Sequence, residues 1–454
     1  MKKKLLSMLL AATMVISLTA CGGSQSDTAG ESDAPAETKT EETETEAVPT
    51  EEATGEAVTI RVFSNLPDRT TGQGFVEQTL FDSYMAENPN ITIEVEALDD
   101  EAYKTKFKAY ASGSDMPDLV NAWGQPSFLN EIIDAGLLAE LNMDDYADYG
   151  FISGSLDGFS KEGKLYGLAR NTDVMGFYYN KALFESNGWT IPTTYDELLT
   201  LAGKIQEAGL IPVSMDGSDK WPISIYVHDL MQKIDPSIKT EVQSSIANAD
   251  FSNPVYTQAA DLMVQAVDAG MFQNGFETTD YGTAKNLFTN AQSAMFYMGS
   301  WEMSMAADEN IPAEVRDNIG VFMMPAVEGG KGTNTDIAAW NGGGYAVTAN
   351  SAVKEEAVKL LNYMFKPENW SKLCWENGIC MSAQNYSDYL TGSETPVQLE
   401  FTDIVSNATS VTGVTLNDLG TSEFKTISED LSQELAIKSV SSEEFVKALE
   451  DACK

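Results

Sequence analysis

Seven tryptophans are spread along 454 residues. Four of them, Trp123, Trp221, Trp301 and Trp340, fall in stretches that read as loops beside predicted strands. Polar side chains stand near them in the chain: Arg170 and Asp173 at the head of one strand, Glu302 next to Trp301, Asn341 next to Trp340. Sugars present flat C–H faces ringed by hydroxyls. Aromatic rings cover such faces while carboxylates, amides and guanidinium groups bind the hydroxyls, so this is the chemistry the residue types suit. Trp189 and Trp370 sit inside helix-turn patterns and read as core. A glycosidase needs two carboxyls across a scissile bond, and Asp173 with Glu302 could be cast that way by residue type. Nothing resembles a nucleophile elbow, a phosphate loop or a metal motif. His228 is the only histidine, and no Cys/His spacing suits zinc. His228 is expected at the surface or a cleft edge rather than as a catalytic base. Neither a cofactor nor a metal is implied.

These side chains need strands and turns to position them. The organising stretch is 163–199, GKLYGLARNTDVMGFYYNKALFESNGWTIPTTYDELL. Gly163 supplies a turn, Leu165 to Leu168 an apolar run, and Arg170 to Asp173 a polar crossing. Val174 to Tyr179 is β-prone, and a short helix then stops at Asn187-Gly188. Thr194 with Glu197 forms a capping box for the next helix. Ahead of this, Ala57 to Phe63 and Ile91 to Leu98 alternate as strands, and Asp118 to Asn121 is a short strand. Helices over Phe75 to Asn88 and Tyr103 to Ala111 separate them. Strand and helix alternate through the chain, which predicts an α/β fold with a largely parallel sheet. Ligands on such sheets lie beyond the strands' carboxyl ends, here the loops Asn65–Arg69 and Asn121–Gln125. Further on, Ser293 to Met298 and Ile319 to Met324 read as apolar strands. Trp340-Asn341-Gly342-Gly343-Gly344 leads into Tyr345 to Thr348, where three glycines permit backbone angles that other residues resist.

The run "GKLYGL", "YYNKALFESNGW", "IPTTYDELL" and "GLIPV" resembles the middle of extracellular solute-binding proteins of ABC importers, in the carbohydrate-binding family that includes maltose-binding protein. "ENPNITIEVE", "SGSDMPDLV" and "LFTNAQSAMFYMGSW" match further landmarks in order, although Asn290-Ala291 departs from the usual glycine turn. The resemblance implies two α/β lobes joined by a hinge, with the ligand cleft between them. It adds Asp68, Arg69 and Trp123 as ligand contacts, places an acidic contact at Asp173 and a sugar-stacking ring at Trp301, and puts a crossing at Gly342, Gly343 and Gly344. The expected division is 58–170 with 344–390 as one lobe and 171–343 with 391–454 as the other. The implied function is capture of a carbohydrate, an oligosaccharide, by hinge closure and delivery to ABC permease transmembrane subunits, by a monomer. A binder of peptides or other solutes on the same scaffold and a lipid-anchored glycoside hydrolase are the alternatives.

The front of the chain bears on location. Met1 to Lys4 is basic, Leu5 to Leu18 apolar, and Thr19-Ala20-Cys21 resembles the lipobox of bacterial lipoproteins. Cys21 is the expected lipidation site after removal of residues 1–20, which would hold the protein at the outer face of the cell membrane. Residues 21–57 are rich in Ser, Thr, Ala and Glu and read as a disordered, extended tether. The whole chain carries −41. Setting aside the leader lysines and the tether's net −10 leaves about −34 for the body, which argues against nucleic acid as a partner. About 400 residues exceed what one core usually holds, so two domains are expected. Of four cysteines, Cys374 and Cys380 are close enough in sequence to pair, with connectivity left open.

Overall fold

A computed structural model describes residues 56–113 and 115–454. The leader, Cys21 and most of the predicted tether lie outside the described residues. The chain begins with β1 (Val58–Ser64), α1 (Gly72–Glu87), β2 (Ile91–Ala97), α2 (Asp100–Ser112), β3 (Leu119–Trp123) and α3 (Pro126–Asp134). A small hairpin of β4 (Ser160–Lys161) and β5 (Lys164–Leu165) precedes β6 (Leu168–Ala169) and the long β7 (Thr172–Asn180). Next come α4 (Lys181–Asn187), α5 (Tyr195–Glu207), β8 (Ile211–Ser214), α6 (Trp221–Ile234), α7 (Ile238–Asn248), α8 (Pro254–Asp268), α9 (Tyr281–Thr289) and β9 (Ser293–Gly299). A 3-10 turn (Ser300–Ala306) leads to α10 (Ala313–Arg316), β10 (Ile319–Phe322), β11 (Asp336–Ile337), β12 (Ala339–Asn341) and β13 (Gly343–Val347). The chain closes with α11 (Lys354–Met364), α12 (Trp370–Glu376), α13 (Pro396–Ser406), β14 (Ser410–Val411), α14 (Leu416–Leu419), α15 (Ser422–Ala436) and α16 (Ser442–Ala452).

Most strands form two mixed sheets, and β4 with β5 and β11 with β14 pair separately. The first has the order β2-β1-β3-β13-β6, with β1 parallel to both neighbours and β13 antiparallel to β3. The second has the order β10-β7-β9-β8, with β12 also paired to β7. Alternation along β7 explains the apolar run Val174 to Tyr179 within it. Met175 and Phe177 enter one core with α5, α6, α8, α15 and α16, while Val174 and Tyr178 enter another with Phe296, Phe288 and Phe401. A strand buried on both faces has no place for polar alternation. Local signals hold where geometry demands them: Gly188 caps α4 at φ 66°, and Thr194 and Glu197 form the predicted capping box.

Among the described residues the chain passes between the sheets three times. The first passage is Arg170-Asn171 between β6 and β7, and the second is Gly342 between β12 and β13. The third runs beside the first: Thr172 N–H donates to Met381 O at 2.9 Å, and Ser382 bridges to Asn171. Inside the first half, Glu77 is fully buried and collects donors from three elements. Ser64 Oγ donates at 2.8 Å from the end of β1, Tyr345 Oη at 2.6 Å from β13, and Arg69 forms an ion pair from the loop before α1. Removing one partner of a buried ion pair leaves the other uncompensated. Glu77→Ala should therefore lower the unfolding free energy by about 3 kcal/mol in urea denaturation. A loss well under about 1 kcal/mol would show that this network does not hold the half together.

Candidate ligand-binding site

The polar residues converge at the passages. Arg170 is 6% exposed and held on every side. Its N–H donates to Gly343 O at 2.9 Å, its Nη1 to Asn65 Oδ1 at 3.0 Å, and its Nε to Asn171 Oδ1 at 3.1 Å. The guanidinium lies over the Tyr345 ring, 5.9 Å from its centroid. Its carbonyl accepts the Trp370 indole N–H at 2.9 Å, so Trp370 is a fully buried structural residue, as its helix-turn context predicts. Asp173 is 5% exposed and accepts from the Asn171 amide and the Gly343 N–H. Burial pushes its carboxyl up to about 7, with Arg170 and the Asn171 amide acting in the opposite direction. Asn341 Oδ1 accepts the Thr172 hydroxyl at 3.1 Å, and Trp340 pairs across the ladder with Asp173.

The three glycines occupy this junction for lack of space rather than for backbone freedom. None of them has a positive φ. A Cβ on Gly342 would lie 2.0 Å from Asp173 Oδ2, one on Gly343 2.9 Å from the Arg170 guanidinium, and one on Gly344 2.2 Å from Leu168 O. Tight packing, not the backbone freedom expected from three consecutive glycines, thus accounts for Gly342, Gly343 and Gly344.

A second cluster lies on the second sheet's half. Trp221 and Trp301 pack with ring centroids 5.9 Å apart. The Trp301 indole N–H donates to Tyr281 Oη at 2.8 Å, and that hydroxyl donates to Glu302, which also pairs with Lys285 at 2.8 Å. Glu302 thus anchors the turn that carries Trp301. Three tryptophans stand in regular elements rather than loops. Trp123 ends β3, Trp340 lies in β12 and Trp221 opens α6. Strand ends tolerate aromatic rings well, and Pro222 makes Lys220-Trp221-Pro222 a helix start.

The loop after β1 uses its charges locally. Asp68 Oδ1 accepts from Thr70 N and Oγ1 at 2.8 and 2.7 Å, and Oδ2 accepts from Thr71 Oγ1 at 2.7 Å. Those bonds hold its carboxyl below the usual range against the opposing effect of burial, which is the largest single influence. Asp68 also adds to the negative field that Glu302 and Asp308 set at Lys285. Arg69 points inward to Glu77. Trp123 packs edge-on to Tyr103 and Phe128, with the Lys104 ammonium 5.4 Å from its centroid.

Several residues here were not singled out from sequence. Asn65 and Asn121 link the first loop to β3, with Asn65 N–H donating to Asn121 Oδ1 at 2.7 Å. Asp216, just past β8, is fully buried; burial and Asp219 push its carboxyl up to about 9, and its Oδ2 has no partner. Its place beyond a strand's carboxyl end was the available signal. His228 is not at a surface or cleft edge but buried in α6, where Nδ1 accepts Leu416 N–H at 3.2 Å. Burial lowers it to about 4, so it stays neutral. Cys374 and Cys380 are buried free thiols. Among the described residues no His, Cys, Asp and Glu cluster is set to hold a metal ion, and no helix is long and apolar enough to cross a membrane.

Two α/β halves tied by strand crossings, with polar groups gathered at the crossings, define the solute-binding-protein fold. The chain belongs to the bacterial extracellular solute-binding protein family, whose pattern matches residues 64–369. It is 24% identical over 289 residues to the multiple sugar-binding protein of Streptococcus mutans, covering 61% of this chain and 65% of that one. The chain thus spans just under two thirds of that relative's length. Its fold superimposes with a TM-score of 0.79 and 25% identity on a protein solved in work on xylan utilization by the thermophile Caldanaerobius polysaccharolyticus, covering 87% of this chain and 99% of that one. A chitin oligosaccharide binding protein shares the fold with a TM-score of 0.78 and 22% identity, covering 88% and 98%.

Asp173 generates a pH prediction. Its folded value near 7 exceeds the ordinary value near 4, so the folded chain keeps a proton that the unfolded chain releases. The stabilisation is complete below about pH 4 and is lost as pH rises through about 7. Relative to the parent, Asp173→Asn should gain stability steadily between about pH 4 and about pH 7 and then level off, read from urea midpoints at each pH. A difference independent of pH would show that Asp173 ionises normally.

Proposed function

We propose that this chain captures an oligosaccharide between two lobes and hands it to ABC permease transmembrane subunits. One lobe is 58–170 with 344–390 and the other is 171–343 with 391–454. The observation that carries the ligand class is the Trp221–Trp301 pair, with Trp301 held by the Tyr281–Glu302 relay. Paired rings give an apolar platform, and a fixed carboxylate and phenol next to it suit hydroxyls. The family supports binding rather than catalysis, and the relatives that bind multiple sugars and chitin oligosaccharides support carbohydrate. Asp68, Arg170, Asp173, Trp340 and Asn341 complete the ligand side. Arg69 and Trp123 belong to it through the residues they brace. Gly342, Gly343 and Gly344 form the hinge that closes on ligand, because ligand touching both lobes favours the closed form. The protein acts as a monomer, tethered to the outer face of the membrane through lipid on Cys21. A Glu302 already paired to Lys285 and Tyr281 gives no support to a glycosidase casting with Asp173.

Thermal unfolding against raffinose, a xylo-oligosaccharide and diacetylchitobiose tests the ligand class. A ligand bound only by the folded state adds about 2.7 kcal/mol at one hundred times its Kd. One sugar is expected to raise Tm without being consumed, and Trp301→Ala should weaken its binding by roughly thirtyfold. Shifts only with peptides would overturn the carbohydrate reading. Cys21→Ser should move the protein from the membrane fraction to the medium; retention at the membrane would exclude the lipid anchor.

A further inference from the structure

The loop between β8 and α6 delivers Trp221 to its place beside Trp301, and it does so through a backbone that its sequence does not favour. Lys220 has φ 66° and ψ −37°. The left-handed well open to residues with side chains lies at ψ of roughly +30° to +60°, and Ala249, with ψ 47°, falls in that range. Lys220 lies outside it. Trp221 N–H donates to Asp219 O, two residues back, at 2.7 Å. Asp219, Lys220 and Trp221 thus form a γ-turn of the positive-φ form, which is rare and strained. Glycine would relieve such a turn, and a relaxed helix start would carry a side-chain acceptor. Here the residue before Trp221 is lysine, and no side chain caps α6.

The surroundings over-determine the turn, as a strained residue requires. On one side Lys220 Nζ pairs with Asp430 of α15 at 2.5 Å, and Gln433 of the same helix donates its amide to Gly217 O at 2.7 Å. On the other, Gly217 N–H and Ser218 N–H both donate to Thr279 O, at 3.2 and 3.0 Å. Within the loop Asp219 N–H donates to Asp216 Oδ1 at 3.2 Å. Lys220 O then accepts Ser224 N–H at 3.1 Å and begins the α6 ladder. Together these bonds fix where α6 starts. The first residue so fixed is Trp221, whose ring meets Trp301 at 55° with centroids 5.9 Å apart. We propose that Lys220 is a positioning residue for the ligand platform: its strained turn, clamped by Asp430, sets the angle between the Trp221 and Trp301 rings. The proposal rests on the reading of those rings as the platform, but the effect of the turn on the rings needs no sugar.

Circular dichroism of the full chain tests this. Two indoles this close couple their excited states and give a far-ultraviolet couplet whose size depends on the angle between them. The parent spectrum minus that of Trp221→Phe isolates the couplet. Lys220→Gly removes both the strain and the clamp. It should lose most of the couplet while keeping a Tm equal to or above the parent's, because relief of strain offsets the lost surface ion pair. A merely structural role would lower Tm and leave the couplet. Asp430→Asn loosens the clamp from a separate helix and should lose a smaller part of the couplet; it decides the matter if Lys220→Gly does not fold. An unchanged couplet in both variants would overturn the proposal. Titration with raffinose, a xylo-oligosaccharide and diacetylchitobiose gives a second readout. Whichever binds the parent should bind Lys220→Gly about fivefold more weakly, since binding must then order a ring that the turn no longer holds. Equal affinity would overturn the role in binding. If none of the three binds the parent, the carbohydrate reading fails and the couplet alone decides whether Lys220 positions the rings.

Discussion

The close approach of backbone and charge at the second passage is the constraint on which the rest depends. Asp173 and Arg170 sit where β12 gives way to β13, and their side chains fill the space that Cβ atoms on Gly342 and Gly343 would need. Glycine there lets the backbone come within hydrogen-bonding reach of both groups. Arg170 is then tied to β13, to the first loop through Asn65, and to α12 through its carbonyl. One side chain and its peptide group therefore meet elements from the beginning, middle and end of the chain. The same crowding removes water from Asp173, which explains the direction of its titration.

Each half solves its own problem around that junction. The first buries one carboxylate, Glu77, and surrounds it with a cation and two hydroxyls, so that β1, α1 and β13 share one set of bonds. The second relies on apolar packing on both faces of β7. The difference shows in the loops and turns beyond the strands. The first offers loops stiffened by internal bonds, as at Asp68. The second offers rings held by side-chain relays, as in Trp301 to Tyr281 to Glu302.

Much of the fold was legible because its signals are local. The strands at Val58–Ser64, Ile91–Ala97 and Thr172–Asn180 follow from β-prone alternation or apolar runs, and the α5 start from a capping box. The charge partners were not legible. Arg69 faces Glu77 rather than the cleft because of a fold-back between loop and helix that no periodicity encodes. Trp123, Trp221 and Trp340 were placed in loops because turn residues flank them, and pairing or helix initiation won instead. His228 was expected near water on the base rate for its type. Tertiary packing around all sides of α6 overrode that expectation. The segment carrying α13, β14, α14 and α15 shows no sustained period, since polar turns interrupt its elements.

The burial of His228 reaches beyond the core. Histidine is the side chain whose ordinary titration falls between pH 5 and 8, and this chain holds one, sealed and neutral. Asp173 and Asp229, whose carboxyls burial raises to about 7 and about 6, are likewise interior. Among the described residues the outer face thus has no imidazole to gain or lose a proton as the medium turns mildly acid. The body presents a nearly constant anionic exterior to ions, polymers and neighbouring proteins across that range, and its electrophoretic behaviour there is set by sequence rather than by surroundings.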